Sequence, residues 1–209
     1  MKKTFLERQC ENLLLPLEEI QLNYDGRPEP ALLKYYEDQG YVGSFIEGYT
    51  FLTVLKALTL DKLAELNTFN DRRDACTRYF EAQLTIHKDR SDEIINSIYK
   101  INKKKYLSNL NEIFSQSFIQ REYSNLSLKC CEALFDAIEL ETFARVMEKF
   151  SEDPYTYRNG WPDLTIVKGR EVRFIEVKTT DRLHKSQLVT IPIFRKILPY
   201  CFSVCRVRR

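Results

Sequence analysis

Hydrophobic and polar positions divide the chain into a long stretch of helical period and a short stretch of strand period. Apolar residues recur at three- and four-residue spacing in Phe5 to Ile20, Ala31 to Tyr36 and Phe45 to Leu60. They do so again near Cys76 to Ile86, Ile94 to Ile101, Leu107 to Phe118 and Leu126 to Phe150. This is the pattern of helices that each bury one stripe. The segment "NYDGRPEP" at residues 23–30 reads as a turn between the first two helices. After Asp153-Pro154 the texture changes. "LTIV" and "VRFIEV" are β-branched and aromatic runs joined by "KGRE", "LHKSQLVTIPIFRKIL" returns to helical spacing with Pro192 inside it, and "YCFSVCRV" is a final strand. The C-terminal third is β-β-α-β. With the helices ahead of it, the fold class is α/β with a small mixed sheet flanked by helices.

The turn sets the register of the first two strands. A two-residue loop at Gly169-Arg170, in the Gly-X order of a type II′ turn, pairs Lys168 with Glu171 and Val167 with Val172. Asp163 then lies opposite Glu176, with Cβ atoms about 5 Å apart. A three-residue bulged loop would shift the pairing by one. Along the second strand Val172, Phe174, Glu176 and Lys178 share one face, and Arg173, Ile175 and Val177 share the other. Two carboxylates and one ammonium therefore converge. Either Lys178 neutralises one acid in a salt bridge of at most about 1 kcal/mol, or a hard divalent cation relieves both acids through oxygen ligands. Both readings stand at this point.

Composition narrows the setting. A chain of 209 residues can bury the core of one good-sized domain, and 44% hydrophobic with 30% charged residues is an ordinary globular mixture. No apolar run reaches the length of a membrane span. The basic start "MKK" is followed by Glu7, Arg8 and Glu11 rather than an apolar core, so no signal peptide is expected and the protein is expected to be intracellular. The six cysteines have neither CxxC pairs nor histidines at zinc spacing, and are expected to be reduced and packed. From Arg158 to Arg209 there are 12 Lys/Arg against 4 Asp/Glu, leaving 20 against 26 in the preceding residues. A polyanion is expected to meet the C-terminal quarter, through Arg158, Arg170, Arg182 and Lys185, which flank the acids in sequence. Trp161 and Tyr157 are expected in the core. The run Lys103–Lys105 is expected in a solvated loop.

Pro162-Asp163, then about a dozen residues, then Glu176-Val177-Lys178 resembles the PD-(D/E)xK nuclease superfamily. The wider strings "RNGWPDL", "FIEVKTTDRLHKSQ" and "FSVCRV" resemble the VRR-NUC domain in the form found at the C-terminus of the Fanconi-associated nucleases. The resemblance covers approximately residues 35–209. It implies a restriction-endonuclease-like core with N-terminal helices at residues 1–40, a nuclease domain at 41–209 and a long helical insertion at about 62–150. It also implies a metal-binding Glu upstream, best matched by Glu47, although Ser44 to Glu47 also fits a helix capping box. In the family's terms Glu47, Asp163, Glu176 and the Val177 carbonyl hold Mg²⁺ or Mn²⁺, while Lys178 and Gln187 complete the catalytic set. His184 stays outside it.

The expected activity is metal-dependent hydrolysis of flapped, branched or end-containing DNA in repair or processing. The alternatives are a dimeric Holliday-junction-type resolvase and an inactive DNA-binding or assembly module. The chain has no room for the DNA-binding and helical-repeat domains of full-length relatives, so a separate targeting partner is expected. A monomer is expected over a dimer, with no membrane association.

Overall fold

In the computed structural model, which describes residues 3–180 and 182–209, Gly169 takes φ +58° and Arg170 stays outside the positive-φ residues, as a type II′ turn requires. The turn joins β3 (Leu164–Lys168) to β4 (Glu171–Lys178). Lys168 faces Glu171, Val167 faces Val172, and Leu164 faces Ile175, in the register expected from the sequence. Three further strands, β1 (Leu17–Gln21), β2 (Val42–Ser44) and β5 (Cys201–Arg208), complete one sheet in the order β1-β5-β4-β3-β2. β1, β5 and β4 run parallel, while β3 and β2 pair antiparallel.

The helices lie on both faces of this sheet. α1 (Phe5–Asn12), α2 (Pro28–Glu37) and α3 (Tyr49–Glu65) precede the insertion. Its helices are α4 (Arg72–Thr77), α5 (Phe80–Ile86), α6 (Ser91–Ser97), α7 (Lys103–Phe114), α8 (Ser117–Glu122), α9 (Leu128–Ala137) and α10 (Leu140–Glu152). α11 (Pro154–Tyr157) leads back to the hairpin, and α12 (Lys185–Arg195) crosses over from β4 to β5. On one face, Val172 and Phe174 join the large core with Phe51 of α3. On the other, Ile175 and Val177 pack with Leu32, Leu33 and Tyr36 of α2. α9 of the insertion sits on β2 and β3. A strand covered on both faces has no solvent side, so any charge on it is desolvated. None of the described helices is long and apolar enough to cross a membrane. All six cysteines are free, and only Cys201 is exposed.

Three local expectations fail, each for a tertiary reason. The helix expected from Phe5 to Ile20 stops at Asn12, Leu14 turns the chain at φ +52°, and Leu17–Gln21 becomes an edge strand. Its acids are claimed by the far end of the chain. Arg173 Nη2 donates to Glu18 at 2.7 Å, Arg206 Nη1 to Glu19 at 2.5 Å, and Arg208 makes two 2.9 Å bonds to Glu19. Much of the C-terminal basic surplus is thus internal complementarity rather than a free face. Second, the helix expected from Phe45 begins only at Tyr49, because residues 42–44 pair with β3. Third, Lys103–Lys105 open α7 instead of forming a loop. Asn102 caps them by accepting from the Lys105 amide at 2.9 Å, and Lys103 and Lys105 pair with Asp136 and Asp61.

Two features of this architecture have measurable consequences. Gly160 takes φ +80°, and a Cβ there would lie 2.3 Å from the Ser186 carbonyl carbon. Gly160→Ala is therefore expected to cost about 2 kcal/mol in urea unfolding, from positive-φ strain plus a backbone clash. Lys56 is buried in α3, with its ammonium donating to Cys76 O at 2.5 Å and Arg78 O at 2.7 Å. Burial lowers its pKa to about 8. A depressed folded pKa means that stability is lost as pH falls through it. Wild type should therefore gain on Lys56→Met as pH rises from about 8 to about 10.5, by up to about 3 kcal/mol, read from paired urea titrations.

Candidate active site

Asp163 is the residue before β3, and continuing the ladder past Leu164 and Ile175 sets it opposite Glu176. Its carboxylate reaches across: Oδ2 accepts the Val177 amide at 2.8 Å. Glu176 is wholly buried. The Lys178 ammonium lies 2.6 Å from Glu176 Oε1, yet neither carboxylate oxygen has a hydrogen-bond partner. The contact is an ion pair lacking the alignment of a hydrogen bond. Burial raises the Glu176 pKa, and the Asp163 charge raises it further, against the opposing pull of Lys178.

Glu47 arrives from the opposite edge of the hairpin, in the segment between β2 and α3. It takes φ +49°, and its amide donates to the Asp163 carbonyl at 3.2 Å. The capping-box reading of this segment does not hold. Ser44 belongs to β2, its hydroxyl donates to Asn125 O at 2.8 Å, and α3 starts at Tyr49 without a side-chain cap. The turn depends on Gly48, because a Cβ there would fall 2.4 Å from the Trp161 ring. Trp161 is buried as expected. It stacks on Phe51 at 5.3 Å and Phe194 at 4.5 Å, and its Nε1 donates to Tyr157 O at 2.8 Å. Burial is the main cause raising the Glu47 pKa, followed by Asp163, while Lys178 and His184 lower it. Glu47, Asp163, Glu176 and Lys178 thus occupy one electrostatic site, with His184 in reach.

The other expected residues fall into separate places. Gln187 is buried, and its Oε1 accepts the His184 amide at 2.8 Å, which closes the first turn of α12. Gly160 packs directly on the Ser186–Gln187 backbone, so this helix end is held against the segment leading to Asp163. Arg182 lies beyond Lys178, in an open cleft of 640 Å³ with Thr179, Thr180 and Arg206. Lys185 is exposed at the start of α12. Arg158 is committed to buried Glu81 at 2.5 Å. Arg170 sits at the hairpin tip, six positions before Glu176 and roughly 20 Å away at strand rise, near Glu139. The structure does not bring it to the acids. Asp181, the first residue of the DRL segment, lies outside the described residues.

Some residues that shape the site carry no local sequence signal. Gln9 of α1 grips Leu183 from both sides, its Oε1 accepting the Leu183 amide at 2.9 Å and its Nε2 donating to the carbonyl at 3.3 Å. Leu183, ahead of α12, is thereby pinned from α1. The cleft of 340 Å³ that holds Glu47 and Asp163 is also walled by Arg27, Glu29, Tyr123 and Asn125. Only the fold brings these together with Glu47 and Asp163.

Among the described residues, no three His, Cys, Asp or Glu side chains converge closely enough to grip an ion as they stand. The donor chemistry nevertheless fits a hard divalent cation. The available groups are carboxylate and carbonyl oxygens, and both Glu176 oxygens are buried without an aligned hydrogen bond, Oε1 having the Lys178 ammonium beside it. Such an ion would satisfy the atoms that the protein leaves orphaned.

Comparison with known proteins bears on the fold and the family. No curated protein sequence matches the chain. Two crystal structures of paFAN1, bound to 5′-flap DNA with a gap and carrying flaps of two nucleotides and one nucleotide, share its fold. Their TM-scores are 0.60 and 0.59, at 20% and 18% identity. The alignments cover 93% of this chain but only 37% and 38% of those chains. The VRR-NUC domain matches residues 101–209, a span that takes in Asp163, Glu176 and Lys178 and leaves Glu47 to the geometry. By that match over half of its length, the chain belongs to the VRR-NUC domain family.

Proposed function

We propose that the chain is a divalent-metal-dependent DNA nuclease that hydrolyses phosphodiester bonds in flapped, branched or end-containing DNA. The carrying observation is the buried Glu176 carboxylate beside Asp163 and Glu47, offset only by the ammonium of Lys178 and without an aligned hydrogen bond on either oxygen. Family membership and the flap DNA in the structural neighbours support the same reading.

In this mechanism Glu47, Asp163, Glu176 and the Val177 carbonyl would hold Mg²⁺ or Mn²⁺. When bound, the ion supplies Lewis-acid polarisation of the phosphodiester and a water of lowered pKa. Lys178 would then no longer be needed to offset Glu176. Its compact ammonium donates to the attacking water or to the developing negative charge on the phosphate. Gln187 and Gln9 act as positioning residues, fixing Leu183 and His184 at the entry to α12. Arg182 and Lys185 meet backbone phosphates, which position the strand without reading its bases. The chain spans about 37% of the first of these structural neighbours; in this reading the protein acts as an intracellular monomer in DNA repair, with a targeting protein as a further partner.

A metal-free DNA-binding module is the second reading. It is favoured by the Lys178–Glu176 pair, which already offsets one acid. Calorimetric titration with Mn²⁺ separates the two, since only a metal site gives heat that disappears in Glu176→Gln.

Cleavage of a labelled 5′-flap substrate in Mg²⁺ tests the nuclease reading. Asp163→Ala and Lys178→Ala are each expected to lower kcat by at least about 100-fold, and chelation should abolish cleavage by the wild type. Equal activity in all three proteins would end the reading.

A further inference from the structure

The cleft beside the acids has a cationic wall that the nuclease motif does not include. Its 340 Å³ falls within the range of sites that seat one small organic unit, about 300–1,000 Å³. One wall is the start of α2, with Arg27 and Glu29, and the opposite wall is the turn after α8, with Tyr123 and Asn125. The second wall is fixed in place: the Ser44 hydroxyl holds Asn125 O at 2.8 Å, and the Tyr123 ring packs on Tyr49 at 4.5 Å. The helical insertion therefore contributes directly to the reaction cleft.

Charge singles out Arg27. The residues lining the cleft include Glu29, Glu47, Glu122 and Asp163, and among the described residues Arg27 is the only cation there. It stands at the N-cap of α2 without a side-chain cap bond, and the surface leaves it exposed. Glu29 Oε2 is buried with no hydrogen-bond partner, so the guanidinium is not bound to that oxygen. A polyanionic strand entering an acid-lined cleft needs relief at each phosphate it brings. Within the cleft Glu47 and Asp163 belong to the acid set, whereas the cation among its lining residues is Arg27, whose planar fork suits phosphate oxygens.

Building on the nuclease reading, we propose that Arg27 binds the phosphate next to the scissile one, with the intervening nucleoside seated between α2 and the turn after α8. Arg27 is then a substrate-binding residue that sets which linkage lies over the acids.

The test combines a protein variant with neutral-backbone substrates. Wild type and Arg27→Ala are assayed on 5′-flap DNA, and on two versions that carry a single methylphosphonate at the linkage on either side of the cleavage point. Arg27→Ala should raise KM about tenfold with kcat within about twofold, and should flatten the slope of log affinity against log salt by about 0.9, the loss of one phosphate contact. One of the two neutral linkages should weaken wild type by a similar factor and leave Arg27→Ala unaffected. Arg27→Lys should keep the salt slope and recover part of the KM. If both neutral linkages penalise Arg27→Ala as much as wild type, the assignment of Arg27 is overturned while the nuclease reading stands. If wild type cleaves none of the substrates, the nuclease reading fails, and the assignment falls with it.

Discussion

A carboxylate without hydrogen bonds in the middle of a doubly covered sheet is the constraint on which the site is built. Glu176 lies on β4, whose neighbouring positions are packed by α2 on one side and by the large core on the other. Water cannot reach it, and the Asp163 charge opposes its ionisation. The desolvation of such a group outweighs what a single ammonium returns. The sheet thus holds an acid in a state that an additional positive charge would relieve. The rest of the local structure fixes the direction from which that charge can come.

Two glycines make this directionality possible. Gly48 lets the segment carrying Glu47 lie against the Trp161 ring, and Gly160 lets the segment carrying Asp163 lie against the first turn of α12. Trp161 stands between them, stacked in the core. Segments far apart along the chain are therefore referenced to one aromatic side chain. Small changes in its packing would be transmitted to Glu47 and Asp163 together, since the Glu47 amide bonds the Asp163 carbonyl directly.

The hairpin was legible from sequence because its turn chemistry is local. Gly169 demands one conformation, and that conformation counts residues back to Asp163 and Glu176. The alternation of side chains between the two faces of β4 followed from the same count. Glu47 was legible only through family resemblance, because the local capping pattern from Ser44 pointed to a different structure. What defeated it was a contact with Trp161, more than 100 positions away. β1 was hidden for a similar reason: Leu17–Gln21 has a composition that suits a helix, and its pairing with β5 is invisible to any short window. Arg158 and Arg170 flank the acids in sequence, but the fold commits one to Glu81 and carries the other to the hairpin tip. Arg27 shows the converse, a cation remote in sequence that shares the cleft.

The pairing of β1 with β5 also constrains when the domain can form. Glu19 and Arg206 stand 187 residues apart and are joined across the sheet edge. As the ribosome extends the chain, β1 emerges well before β5 and has no partner until the residues between them have been made. Its hydrogen-bonding edge and two unpaired acids must wait in the nascent chain. Closure of so long a loop is a late step, governed by topology rather than by local helix formation. The sheet that carries the site can be completed only after synthesis has delivered its last strand.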